Sequence, residues 1–218
     1  MRRQETAEYR SDTIRYHTID EIKRLLKTID SVRDRAIFTV AYYHGLRASE
    51  VGLLREMDVI KDAGQIHIRR MKRGKIRSYE MSPDEIKAVN DWCKIRGMNW
   101  GDETPLFVSK HGTNAIGRRQ LDRLMKVYGE KAGIPSDKCY FHTLRHSCAV
   151  HMIEADIPVL KVRDWLGHRS LQSTLVYTQV SDKAISDAAT QFHEYVGAKK
   201  KEKDKEKVVI KWKRDKKG

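Results

Sequence analysis

Residues 65–81 read Gln65-Ile66-His67-Ile68-Arg69-Arg70-Met71-Lys72-Arg73-Gly74-Lys75-Ile76-Arg77-Ser78-Tyr79-Glu80-Met81. Ile66 and Ile68 alternate with polar residues, and Tyr79 and Met81 do the same beyond Lys72-Arg73-Gly74-Lys75, which predicts a β-hairpin with a basic tip. Elsewhere the apolar period is mostly helical. Upstream, Thr18-Ile19-Asp20-Glu21 has the form of a capping box, in which the Thr hydroxyl and the Glu carboxylate satisfy orphan backbone N–H groups. A helix over Ile19–Ile29 follows, then another over Arg33–His44 that stops at Gly45, and a short one over Ala48–Arg55. Downstream, Ser82-Pro83-Asp84-Glu85 closes the hairpin and opens a helix to about Arg96, with Ser82 as cap and Pro83 at the first helical position. Pro105–Val108 reads as a short strand. Ala115–Ala132, Leu144–Glu154, Val159–Leu166, Leu171–Tyr177 and Lys183–Tyr195 read as helices. The expected fold class is α+β, a mainly helical domain with one small antiparallel β-sheet.

The 218 residues suffice for one unit with a buried core. They carry 44 Lys and Arg against 30 Asp and Glu, a formal charge of +14, which points to a polyanionic partner, nucleic acid ahead of an anionic membrane surface. No apolar run approaches the roughly 20 residues of a membrane span, and the N-terminus lacks the apolar stretch of a secretory signal, so a soluble, cytoplasmic protein is expected. Cys93, Cys139 and Cys148 are widely spaced with no C-x-x-C, which fits reduced thiols better than a disulfide framework or a zinc site. Three segments are expected: a flexible arm or linker remnant over 1–15, a folded domain over 16–198, and a basic tail over 199–218. The tail has charges that cannot build a core, interrupted by Val208-Val209-Ile210-Lys211-Trp212.

Chemistry gathers in a few places along the chain. His142 and Arg145 stand three apart near a helix start and share a face. Arg47 follows Gly45, Lys72 falls at the hairpin tip, His168 follows Leu166-Gly167, and Tyr177 comes at the end of the next helix. Two arginines, a lysine, two histidines and a tyrosine are what metal-free phosphoryl transfer needs: cations for the pentavalent phosphorane, an acid for the leaving oxygen, and a nucleophile. Spacing alone does not bring them together.

In order, Gly45-Leu46-Arg47-Ala48-Ser49-Glu50, His142-Thr143-Leu144-Arg145-His146, Leu166-Gly167-His168 and Tyr177 resemble the signature of the tyrosine recombinase (phage integrase) family. Each block is weak; four in series are specific. The similarity extends to the fimbrial phase-variation recombinases in length and in the strings around His44-Gly45, Leu144-Arg145-His146-Ser147-Cys148 and Leu166-Gly167-His168-Arg169. The resemblance implies site-specific cutting and rejoining of double-stranded DNA through a 3′-phosphotyrosyl intermediate and a free 5′ hydroxyl, with neither metal nor ATP, by a homotetramer on DNA. By the same resemblance, Tyr177 is the nucleophile, Arg47 and Arg145 grip the non-bridging oxygens, His142 handles the tyrosine's proton and His168 donates to the phosphate. Lys72 is the general acid for the 5′ oxygen, and Glu50 buttresses the catalytic arginine or histidine. Arg73, Lys75 and Arg169 are expected at the DNA backbone.

Blander readings stand beside these. Lys75 is the alternative to Lys72, and both could be backbone contacts. His146 is expected to pack or cap rather than react, His44, His67, His151 and His193 to lie on the surface or in packing, and Trp165 to occupy a buried helix face. The family commonly has a separate N-terminal helical domain that completes a clamp around DNA, so the chain is expected to be either the catalytic part of a longer protein or a short form. The tail is either a strand that adds to a partner's sheet or a basic arm. Two rival functions remain: relaxation of supercoils in the manner of a type IB topoisomerase, and a non-catalytic DNA-binding regulator.

Overall fold

The computed structural model describes residues 14–70, 76–97, 103–110 and 112–178. Lys72, Arg73, Lys75, the helix expected over Lys183–Tyr195 and the tail lie outside them. Eight helices are seen within this range: α1 (Ile19–Thr28), α2 (Val32–Tyr43), α3 (Ala48–Leu53), α4 (Pro83–Arg96), α5 (Arg118–Lys131), α6 (Phe141–Glu154), α7 (Val159–Leu166) and α8 (Gln172–Thr178). One antiparallel sheet has the order β1 (Val59–Ile60), β2 (Gln65–Arg69) and β3 (Ile76–Glu80).

Local chemistry accounts for most boundaries. At α1 the Thr18 N–H donates to Glu21 Oε2 at 2.8 Å while Thr18 Oγ1 accepts from the Glu21 N–H at 3.2 Å, so both halves of the capping box form. The same reciprocal pair opens α4, between Ser82 and Glu85. In the sheet, Ile66 faces Tyr79 and Ile68 faces Arg77 across the β2–β3 ladder, and Ile66, Ile68 and Tyr79 are buried as the alternation requires. The two-residue β1, too short to show a period, pairs Val59 with Ile66. Pro105 and Val108 make only isolated bridges, to Arg55 and Ala115, so the expected short strand is two single pairings on a loop. Helix α5 starts at Arg118 rather than Ala115, because Ala115 is held in its bridge and Gly117 serves as the cap. Helix α6 starts three residues earlier than expected, at Phe141, which places His142 in its first turn.

Helix α2 is apolar nearly all round, with Ala36, Ile37, Phe38, Val40 and Ala41 wholly buried, and it is the hub of the core. A smaller cluster joins Cys148, Ala149 and Val150 of α6 to Val162 and Leu166 of α7 and Tyr177 of α8. Ile14 belongs to this second cluster and Arg15 pairs with Asp137 at 2.8 Å, so the packed part begins within the arm expected over 1–15. All three cysteines are free and buried.

Candidate active site

Two helix ends meet beside the β2–β3 hairpin, and two buried arginines hold them together. Helix α2 ends at Tyr43 and turns through Gly45 at φ +56°; α7 ends at Leu166 and turns through Gly167 at φ +64°. Helix ends leave carbonyls without intrahelical partners and carry partial negative charge, which suits guanidinium donors. Arg145, on α6, donates from Nη1 to Gly45 O at 2.5 Å and from Nη2 to Leu166 O at 2.7 Å. Arg70, just past β2, donates from Nη2 to His44 O at 2.8 Å and to Trp165 O at 2.6 Å. Each arginine therefore spans the same two helix ends, one residue apart.

Glu50 is the common counter-charge. Its buried carboxylate lies 2.8 Å from Arg47 Nη1, 3.1 Å from Arg70 Nη1 and 3.7 Å from Arg145 Nη1, and Oε2 also accepts the Arg47 N–H at 3.0 Å. Burial by itself would raise its pKa; Arg70, the Arg47 N–H, Arg145 and the Arg47 guanidinium outweigh it and hold the carboxyl below the ordinary 4.5. Arg145 is pushed down to about 10, by burial and then by Arg47, and remains a cation at neutral pH. Arg47 is the most open of the three, with a fifth of its side chain exposed.

The two motif glycines are needed for this closeness. A Cβ on Gly45 would stand 2.4 Å from Leu166 Cδ2, and one on Gly167 would stand 2.9 Å from Arg70 Cγ and 3.1 Å from its Cβ. Both turns also need the left-handed backbone that glycine adopts at no steric cost.

Around this core stand the histidines and Tyr177. Helix α8 packs on α6 and α7. Its Tyr177 is buried, with the hydroxyl 2.9 Å from His146 Nδ1. The sequence leads one to expect His146 to pack or cap rather than react; in the structure His142 and His146 are one helical turn apart with ring centroids at 4.6 Å, and His146 Nδ1 meets the phenol. His168 lies nearly parallel to the Tyr177 ring at 6.3 Å, and its Nδ1 is 2.8 Å from Thr174 Oγ1. When the Thr174 hydroxyl donates to Nδ1, Nε2 carries the proton and can donate into the site. Burial, followed by Arg145 and Arg47, pushes His168 down to about 3. Burial, His142 and Arg145 push His146 down to about 4. His142 keeps an exposed edge, yet desolvation of the rest of the ring and then Arg145, Arg47 and Arg118 push it to about 4 as well. All three imidazoles are neutral at pH 7.

Arg47, Glu50, His142, Arg145, His168 and Tyr177 are thus brought into one region, and His146, Thr174 and Arg70 join them. Arg169 is exposed beside His168. Trp165 lies within packing, its ring stacked on His44 at 5.8 Å and its Nε1 donating to Tyr43 O at 3.2 Å. Buried His44 has its Nε2 2.7 Å from Glu85 Oε1, without the geometry of a hydrogen bond. Among the described residues no group of three or more His, Cys, Asp or Glu side chains is arranged to hold a metal ion, and no helix is long and apolar enough to cross a membrane.

This constellation on a helical domain with one small sheet defines a class, and comparison with known proteins names it. Residues 15–184 match the phage integrase family, and the chain belongs to that family. The tyrosine recombinase XerA of Pyrococcus furiosus is 35 % identical over 176 residues, covering 78 % of this chain and 59 % of that protein. The tyrosine recombinase XerC of Vibrio atlanticus is 35 % identical over 191 residues, covering 85 % and 60 %. The type 1 fimbriae regulatory protein FimE of Escherichia coli K12 is 32 % identical over 171 residues, covering 75 % and 85 %. The chain spans about three-fifths of the XerA and XerC relatives. The crystal structure of XerA recombinase superposes with a TM-score of 0.70 at 30 % identity, over 81 % of this chain and 64 % of that one. XerH bound to its palindromic difH substrate in a post-cleavage complex shares the fold, with a TM-score of 0.68 at 22 % identity, over 83 % and 54 %.

Proposed function

We propose that this chain is the catalytic part of a site-specific DNA recombinase that cuts and rejoins double-stranded DNA through Tyr177. The observation that carries the reading is the Tyr177 hydroxyl held 2.9 Å from a neutral imidazole, on a helix packed beside a buried arginine cluster. A free phenol, with a pKa near 10, attacks poorly at pH 7 unless a base takes its proton and cations stabilise its anion. In the forward step the Tyr177 oxygen bonds to phosphorus, its proton passes to His146 or His142, and the bond to the 5′ oxygen breaks. Lys72 supplies the proton to that departing oxygen. The Arg47 and Arg145 guanidinium groups, which keep N–H donors beyond those given to Glu50 and the carbonyls, fit the two non-bridging oxygens, and His168 Nε2 adds a third donor. Burial is the main cause that holds the histidines down, and the arginine charges add to it; the incoming phosphodiester is an anion, so it offsets the arginine part and makes them better bases when DNA is bound. Because the phosphotyrosyl link keeps the phosphodiester energy, attack by a 5′ hydroxyl from another strand reseals DNA with neither ATP nor metal. The partners implied are specific double-stranded sites and three further copies of the protein, acting in the cytoplasm on the nucleoid.

A suicide substrate whose cleaved end diffuses away tests the reading. The expected result is a covalent adduct on Tyr177 that forms in EDTA, depends on DNA sequence and vanishes in Tyr177→Phe, whose DNA affinity stays near wild type. An adduct at the wild-type level in Tyr177→Phe overturns the assignment. Sequence-independent adducts would indicate a topoisomerase instead, and binding with no adduct a regulator.

A further inference from the structure

The arginine whose burial the resemblance does not account for is Arg70. It is 2 % exposed, and its guanidinium contacts four elements: Glu50 on α3, His44 O at the end of α2, Trp165 O at the end of α7 and Tyr79 Oη on β3, the last accepting from Nε at 3.3 Å. The stem packs where a Gly167 side chain would otherwise be. The other leg of the hairpin is tied to α7 as well: Arg77 donates to Asp164 O at 3.0 Å and Tyr79 Oη to Trp165 O at 3.0 Å. Both legs are thus fixed to the helix end that leads directly into Gly167-His168. The hairpin's acid candidate, Lys72, follows Arg70 by two residues, a step that spans at most about 7 Å of chain.

We propose that Arg70 is a positioning residue, which docks the base of the β2–β3 hairpin onto the Glu50–Arg47–Arg145 cluster and so sets the general-acid lysine relative to the arginines that hold the phosphate. The inference rests on the functional reading above. A buried cation is costly unless its donors are all met, and here every acceptor comes from an element that bears, or adjoins, a site residue. The arginine cluster and the described base of the hairpin therefore share one anchor. A lysine could not replace it, because one ammonium cannot take the fork's geometry toward Glu50 and two carbonyls at once.

The test compares suicide duplexes carrying an ordinary phosphodiester with duplexes carrying a 5′-bridging sulfur, whose thiolate leaves without protonation. Arg70→Met should slow cleavage of the ordinary substrate by about 10²-fold or more, the scale of a lost general acid, and recover most of that loss on the sulfur substrate, the pattern also expected of Lys72→Ala. Arg70→Lys should show the same sulfur-dependent defect. Equal slowing of both substrates would mean that Arg70 serves the phosphate grip or the fold alone, and unchanged rates would mean that it serves neither; each overturns the proposal. If Arg70→Met loses its cooperative melt, Tyr79→Phe, which keeps the ring packing and removes the hydroxyl that accepts from Nε, decides in its place, with a smaller defect expected on the ordinary substrate alone. Failure of the wild-type chain to form any Tyr177 adduct overturns the functional reading itself, and is distinct from every outcome at position 70.

Discussion

Replacing Glu50 with Gln removes one charge and almost no volume, so its effect isolates the electrostatics of the arginine cluster. Three guanidinium groups stand 2.8, 3.1 and 3.7 Å from that carboxylate, and two of them, Arg70 and Arg145, are almost wholly buried. Removing the anion of a buried pair costs about 3–5 kcal/mol, because the remaining cation cannot regain its hydration. Arg47 can turn outward, but Arg70 and Arg145 are held by carbonyls of α2 and α7 and remain as neighbouring uncompensated charges. Glu50→Gln should therefore destabilise the domain by about 3–5 kcal/mol at pH 7, or about 6–20 °C in Tm for a domain of this size. Glu80→Gln, at an exposed strand position, should fall within about 0.5 kcal/mol of wild type. The pH dependence sharpens the test. A carboxylate held below its ordinary 4.5 contributes stability that is present above that value and lost as pH falls through the folded-state value. The difference between wild type and Glu50→Gln in urea titrations should thus be flat from pH 7 to 5 and shrink only on further acidification. A difference under about 1 kcal/mol at pH 7 would refute the argument; so would one that already shrinks between pH 7 and 6, since Glu50 would then be neutral in part.

Three further outcomes are expected. His146→Leu should slow formation of the Tyr177 adduct by about 10²–10⁴-fold with DNA binding unchanged; a full rate, alongside a slow His142→Leu, would move the proton to His142. Burial holds His17 and His146 down to about 4 and His168 to about 3, below the ordinary 6.5, so unfolding takes up protons at these sites and stability falls as pH drops below 6.5; the slope of unfolding free energy near pH 5 should flatten by about one proton in His17→Gln. Gly45→Ala adds left-handed strain to a clash with Leu166 Cδ2 and should cost about 2–5 kcal/mol, whereas Gly64→Ala, at φ +61° with Ile86 Cδ1 at 3.4 Å, should cost only the strain of about 1–2 kcal/mol, both read by thermal melting.

The elements legible in the sequence are those whose evidence is local. Capping boxes at Thr18 and Ser82, the glycine stop after α2 and the alternation at Ile66 and Ile68 each act over a few residues, and the structure forms them at those places. What could not be read is what depends on distant partners. The two-residue β1 exists because Ile66 offers it an edge, and the Pro105–Val108 stretch makes bridges rather than a strand because Arg55 and Ala115 each pair with one residue of it. The burial of Ile14 depends on Cys148 and its neighbours, more than a hundred residues away.

The site divides along the same line, with one instructive exception. Neither Arg145 reaching Gly45 O and Leu166 O nor His146 meeting Tyr177 follows from spacing, because i, i+4 histidines show only that they share a helix face and not what that face meets. Arg70 is different. Ile66 and Ile68 point inward, and continuing the period of two to the next position gives Arg70, an arginine where the strand faces the core. A charge at an inward register position requires a buried partner of opposite sign, and in this chain the acid following Arg47 by three residues was already expected to buttress an arginine or histidine. The hairpin's alternation therefore carries more than a strand assignment: continued by one register step it puts a cation on the core face of the sheet, where Glu50 meets it and joins it to Arg47 and Arg145.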